Sequence, residues 1–164
     1  MIKKYSKSII LLTGILLTIL LVSCNPARKY EKAESESIQN YLSNNPADTF
    51  DLKPSGLYFH NVLTGTGPAP VIHDTAYVQY TGMFLDGTVF DTSVGQADLI
   101  FPVDEGYLIS GFDEGITYMK EGGKATFLVP SKLGYGSQGY AAIGGYTPLL
   151  YDVYLIRVKP GPGK

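Results

Sequence analysis

Residues 75–91 read TAYVQYTGMFLDGTVFD. Ala76, Val78, Tyr80 and Gly82 alternate with Thr75, Tyr77, Gln79 and Thr81, the two-residue period of a strand with one face turned inward. Asp86-Gly87 is a hairpin signal that returns the chain through Thr88-Val89-Phe90-Asp91. Working outward, Leu57 to Leu63 forms an earlier strand closed by the Gly65-Thr66-Gly67-Pro68 turn, and Leu99 to Val103 is another strand. Phe112, Ile116 and Met119 fall at i, i+4 and i+7, which predicts a helix of about two turns with one apolar stripe. Gly122-Gly123 turns the chain into a strand over Lys124 to Pro130. A Gly/Tyr loop, Ser131 to Pro148, leads to the last strand, Leu149 to Val158, with Tyr151, Val153 and Leu155 on one face. About five strands and one short helix define an α+β domain with its sheet wrapped over that helix.

The whole chain has 164 residues, of which 45% are hydrophobic and 17% charged. That is one domain with appendages. Thirteen basic and fifteen acidic residues leave a charge of −2, so no basic stripe points to nucleic acid. A single cysteine excludes an internal disulfide, and with two histidines it argues against a structural zinc site. No HExxH, CxxC or DxDxDG pattern occurs, and neither a metal nor a cofactor is expected.

The first 23 residues read as a signal segment and not as part of the fold. Lys3, Lys4 and Lys7 precede a 14-residue uncharged apolar run, Ile9 to Val22. That run is shorter than the ~18–20 residues of a membrane-spanning helix and within the range of a signal-peptide core. Leu21-Val22-Ser23-Cys24 resembles a bacterial lipobox, in which the cysteine thiol takes a diacylglycerol and the chain is cut before it. Two acyl chains, at about 0.8 kcal/mol per buried CH₂, make a stable anchor. Asn25 in place of Asp after the cysteine implies sorting to the outer membrane of a two-membrane bacterium, facing the periplasm. Cleavage leaves ten basic residues against fifteen acidic ones, or −5. Residues 24–54 then read as a polar spacer with a short amphipathic helix over Tyr30 to Leu42, its apolar side marked by Ile38, Tyr41 and Leu42. Residues 55–160 form the domain, and 161–164 a tail.

Covalent catalysis finds no equipment in the chain. Cys24 is committed to the anchor, and His60 and His73 lie in polar strand-edge and turn settings. Gly134-Tyr135-Gly136-Ser137-Gln138-Gly139 matches GxGxxG, but Pro130 precedes it and no helix can open after it, so nucleotide binding is not implied. What remains is aromatic: Tyr80, Phe90, Phe101, Phe112, Tyr135, Tyr140, Tyr146 and Tyr151. A tyrosine keeps a polar tip that wants water or a partner, so this many in one small domain points to a pocket rim as well as a core.

These residues also carry a family pattern. Val78-Gln79-Tyr80-Thr81-Gly82 followed by Asp86-Gly87-Thr88-Val89-Phe90-Asp91-Thr92-Ser93 resembles the V-x-Y-T-G…DG-x-x-F-D-S-S signature of FKBP-type peptidyl-prolyl isomerases. Ile109-Ser110-Gly111-Phe112-Asp113-Glu114-Gly115, Leu133-Gly134-Tyr135-Gly136 and Leu150-Tyr151-Asp152-Val153 resemble later motifs of the same family. The likeness runs in order from Leu57 to Lys159. It implies a strongly twisted antiparallel sheet curled around one short α-helix, with an active site in the apolar hollow between them. The catalytic positions would be Tyr80, Phe90, Asp91, Ile109 and Tyr135, with Leu99, Leu108, Phe112, Tyr140, Ile143 and Tyr151 binding substrate. In this carry-over the Ile109 amide and the Tyr135 hydroxyl hold substrate carbonyls, and Asp91 polarises the edge. The implied partners are prolyl-containing polypeptides and, through Cys24, a membrane. The layout of lipobox, helical spacer and terminal domain also resembles lipoprotein isomerases associated with gliding motility.

The residues suit that chemistry. Rotation of a peptide bond meets a barrier of about 18–20 kcal/mol, and at X–Pro the exchange is slow enough to limit folding. No bond is made or broken, so neither nucleophile nor metal is needed. Three departures stand out: Phe112 replaces the family's usual Trp, Leu99 replaces an aromatic residue, and Gly144-Gly145 replaces two prolines, which predicts a looser rim. A non-catalytic binding module or holdase for an envelope partner, built on the same fold, is the competing reading. The N-terminal reading has a direct check in mass spectrometry of the mature protein. It predicts a chain that begins at a diacylglycerol-modified Cys24; an intact Met1 or an unmodified thiol contradicts it.

Overall fold

The alternation seen along the chain resolves into one antiparallel sheet. A computed structural model describes residues 26–162. Among these residues seven strands occur: β1 (Asp51–Leu52), β2 (Tyr58–Leu63), β3 (Thr75–Met83), β4 (Val89–Thr92), β5 (Leu99–Pro102), β6 (Lys124–Val129) and β7 (Leu149–Lys159). Two α-helices, α1 (Pro26–Asn44) and α2 (Ser110–Thr117), and a 3-10 turn at Ser131–Leu133 complete the elements. The sheet order is β1-β2-β6-β7-β3-β4. The long strand β3 bears β7 along one edge. Its other edge is shared, with Thr81–Met83 pairing β4 and Thr75–Val78 pairing β5.

The expected α+β class is what the structure contains. The strand beyond those read from the alternation is β1, which at two residues is too short to show a period. In β7 a bulge near Ile156 moves the register from Val78↔Leu155 to Tyr77↔Arg157, so Val158 faces the same side as Leu155 despite odd spacing. The expected signal segment, 1–23, and Cys24 lie outside the described residues. No described helix is long and apolar enough to cross a membrane.

Helix α1 begins at Pro26, earlier than the expected Tyr30; proline is favoured in the first turn, where its missing N–H costs nothing. It stops where Asn45 donates both its backbone N–H (3.1 Å) and its side-chain amide (2.8 Å) to the Tyr41 carbonyl, just before Pro46. The compact unit starts at Ala33, so the second part of the expected spacer belongs to it. There Ile38 is buried with Leu128 and Leu150 on the back of the sheet, flanked by Tyr41, Leu42, Phe50 and Tyr58.

The main core lies on the other face. Ala76, Val78, Phe127, Val129, Leu149, Tyr151, Val153 and Leu155 meet Phe112, Ile116 and Met119; the expected stripe is buried, but α2 ends at Thr117, so Met119 packs from just beyond the helix. Each Val, Leu, Ile, Phe or Met side chain among them contributes on the order of 1.5–3 kcal/mol. Two glycines let the helix come close. A Cβ on Gly111 would stand 2.5 Å from Val129, and one on Gly115 2.6 Å from the Phe127 ring. Helix propensity alone makes Gly115→Ala stabilising by roughly 0.5–1 kcal/mol. The contact reverses the sign: we expect destabilisation of about 1–3 kcal/mol in urea unfolding, and a stabilised variant would contradict the packing described.

Candidate active site

Between the open end of α2 and the sheet lies a cavity of about 430 Å³ lined by Tyr80, Asp91, Leu99, Tyr107, Leu108, Ile109, Phe112, Tyr135, Tyr140 and Tyr151. Phe112 is its floor. The ring is nearly fully buried and sits edge-on to Tyr151 (5.1 Å), Tyr80 (5.7 Å), Phe127 (5.8 Å) and Phe101 (6.1 Å). Such edge-to-face pairs are favourable beyond their buried area and fix ring planes, so the floor is rigid and aromatic without an indole.

One wall comes from β3 and β4. Alternation turns Tyr80 toward the helix side, and Ser93 pins it there: the Tyr80 N–H donates to Ser93 Oγ, and the Ser93 N–H to the Tyr80 carbonyl, both at 3.0 Å. The Tyr80 hydroxyl donates to Asp91 Oδ2 at 2.5 Å. Burial, then the bond to Asp91 and its charge, push the Tyr80 phenol well above its ordinary value. Burial, then the neighbouring Tyr135 phenol, does the same for Tyr151. Both tyrosines are therefore neutral, and Asp91 at the exposed lip is the carboxylate of the lining.

The second wall precedes α2. The Ile109 carbonyl starts the helix by accepting the N–H of Phe112 (3.0 Å) and of Asp113 (3.1 Å). Among the described residues no acceptor meets the Ile109 N–H, which leaves a donor at the cavity edge. Asp113, buried, accepts the N–H of Asp104 (2.9 Å) and of Gly106 (3.2 Å) and so holds the segment that bears Tyr107, Leu108 and Ile109. The third wall is the loop after β6, where Tyr140 stacks on Tyr135 with centroids 5.3 Å apart.

Nine of the eleven residues expected in the pocket line this cavity. Phe90 lies just behind it, across Gly82, where a Cβ would meet its ring at 2.7 Å, and edge-on to Tyr151 at 5.8 Å. Ile143 is buried in the core beneath the loop and meets Tyr140 through a backbone bridge. Tyr107, which lines the wall, was not anticipated: it stands in a segment without periodicity, and its nearness to Ile109 is the only signal for it. His60 and His73 lie elsewhere, beside the Thr49 carbonyl (3.0 Å) and Glu105 (2.8 Å).

The rim differs from the looser one expected of Gly144-Gly145. The loop's two limbs cross in close contact, and a Cβ on Gly145 would stand 2.1 Å from the Ser137 carbonyl oxygen and one on Gly139 2.2 Å from that of Ile143. The Tyr146 N–H donates to the Gly136 carbonyl at 2.9 Å across the same crossing. Glycine here permits backbone to touch backbone.

An antiparallel sheet over one short helix, with an aromatic cavity whose carboxylate stands at the lip and whose edge offers the Ile109 amide donor, suits an apolar, carbonyl-bearing chain. The chain belongs to the FKBP-type peptidyl-prolyl cis-trans isomerase family, whose model matches residues 67–156. It is 38% identical over 130 residues to a probable FKBP-type peptidyl-prolyl cis-trans isomerase FkpA of Neisseria meningitidis, covering 77% of this chain and 47% of that one. It thus spans about half the length of that relative. It is 33% identical over 170 residues to the macrophage infectivity potentiator of Trypanosoma cruzi, covering 96% of this chain and 85% of that one. The crystal structure of FkpA from Escherichia coli superposes with a TM-score of 0.71 at 30% identity, over 93% of this chain and 73% of that one.

The raised tyrosines have a consequence for stability. A group whose value is raised by folding lends stability that is complete below its unfolded value, about 10 for tyrosine, and is lost as pH climbs toward the folded one. Unfolding measured between pH 8 and 11.5 should show falling stability above about pH 10, and Tyr151→Phe should reduce that fall. Equal falls in both proteins would contradict the burial of this phenol.

Proposed function

We propose that the domain catalyses cis–trans isomerisation of X–Pro peptide bonds in exported polypeptides, assisting their folding from a lipid anchor at Cys24. The single observation that carries this reading is the cavity that unites Tyr80, Asp91, Leu99, Ile109, Phe112, Tyr135 and Tyr151. The planar amide has separated charge that water stabilises, and the half-rotated amide has less. An aromatic, water-poor hollow therefore favours the rotated state relative to the flat one. Each tenfold of acceleration requires about 1.4 kcal/mol of that difference.

In this reading the proline ring rests on Phe112 and Tyr151. The Ile109 N–H and the Tyr135 hydroxyl donate to carbonyls of the bound chain, and the Tyr80–Asp91 pair keeps the carboxylate at the lip and out of the floor. The lysine-led apolar start and Leu21-Val22-Ser23-Cys24 support export and lipidation, and Asn25 supports the outer membrane, facing the periplasm. The expected layout of lipobox, helical spacer and terminal domain also resembles that of lipoprotein isomerases associated with gliding motility.

A protease-coupled assay on short prolyl peptides, with the full chain, tests the activity. The protein should accelerate isomerisation. Phe112→Leu, which keeps apolar volume and removes the ring, should lower kcat/KM about tenfold, and Tyr135→Phe by less. No rate above background at micromolar protein would overturn the enzymatic reading in favour of a binding module or holdase.

A further inference from the structure

Helix α1 and the loop that carries Tyr135 meet at a polar contact. Glu34 accepts two hydrogen bonds from Ser131: Oε1 takes the backbone N–H at 2.5 Å and Oε2 takes the Oγ hydroxyl at 2.7 Å. Ser131 is 4% exposed and opens the 3-10 turn after β6, where the first N–H groups have no partner within the turn. An ionised acceptor makes such bonds roughly twice as strong as neutral ones.

The other side of Ser131 is equally engaged. Its carbonyl accepts the N–H of Gly134 at 2.9 Å and of Gly136 at 2.7 Å. These two glycines flank Tyr135. Two bonds thus fix Ser131 to α1, and two more fix the neighbours of Tyr135 to Ser131. Helix α1 is itself seated one turn later by Ile38, buried with Leu128 and Leu150. Glu34 and Ile38 share the helix face turned to the sheet, four residues apart.

We infer that Glu34 is a positioning residue for the cavity: through Ser131 it sets where the Tyr135 ring and hydroxyl stand. This rests on the function proposed above, in which that hydroxyl meets substrate. It also makes α1 part of the working domain, so a chain cut to begin at residue 55 loses the clamp along with the helix.

The test compares Glu34→Ala, Glu34→Gln, Ser131→Ala and Val158→Ala in the full chain, Val158 at the far end of β7 serving as the control for lost stability. Two quantities are read: kcat and KM on a prolyl tetrapeptide, and amide hydrogen exchange at Gly134 and Gly136. Glu34→Ala should lower kcat/KM about threefold, no more than Tyr135→Phe does, because small displacements of positioned groups are costly, and should speed exchange at both glycines. Glu34→Gln, which keeps one acceptor oxygen, should recover part of each effect, and Ser131→Ala should fall between. Unchanged activity and exchange in Glu34→Ala would overturn the inference, as would an equal loss in Val158→Ala at matched stability. An inactive wild-type protein would instead overturn the proposed function, and exchange at the two glycines would still decide whether Glu34 holds the loop.

Discussion

The fold depends on how closely α2 can approach β6. Gly111 and Gly115 present no side chain to Val129 and Phe127, so the helix lies almost directly on the strand. That approach inserts Phe112 between four other rings and leaves the end of the helix open. A helix held farther out by ordinary side chains would separate those rings and dissolve the floor. Two missing methyl groups thus connect the packing of the core to the existence of the cavity.

Around that floor the walls are fixed by polar contacts placed outside the hollow. Ser93 holds Tyr80, Asp113 holds the segment before α2, and Ser131 holds the loop of Tyr135. Each bonds the backbone of the wall it holds, and Ser131 bonds Glu34 of α1 as well. The lining is left apolar, with neutral phenols and one carboxylate at the lip. A surface of this kind suits a reaction whose barrier is lowered by removing water and matching shape.

Much of this was legible in the sequence. Alternation in Thr75–Met83 and Leu149–Leu155, the Asp86-Gly87 turn and the spacing of Phe112, Ile116 and Met119 each state a period that burial enforces. The site was legible through the family resemblance, whose motifs recur here in order and which implied that Tyr80, Asp91, Ile109, Phe112, Tyr135 and Tyr151 share one hollow. What escaped has physical reasons. Tyr107 lies where backbone is held by a distant carboxylate, which leaves no local pattern. The role of Gly144-Gly145 depends on a crossing with Ser137 and Gly139, a contact between limbs that composition does not encode. The docking of α1 rests on the single buried Ile38 and on Glu34, which in a polar helix read like any other exposed charge.

The account stands or falls on where a prolyl chain sits. Intermolecular NOEs between a bound prolyl peptide and the aromatic protons of the protein measure this directly. The account predicts contacts from the proline ring to Phe112 and Tyr151, with a downfield shift of the Ile109 amide. Contacts confined to the back of the sheet, around Tyr41 and Tyr58, with the Ile109 amide unmoved, would contradict it.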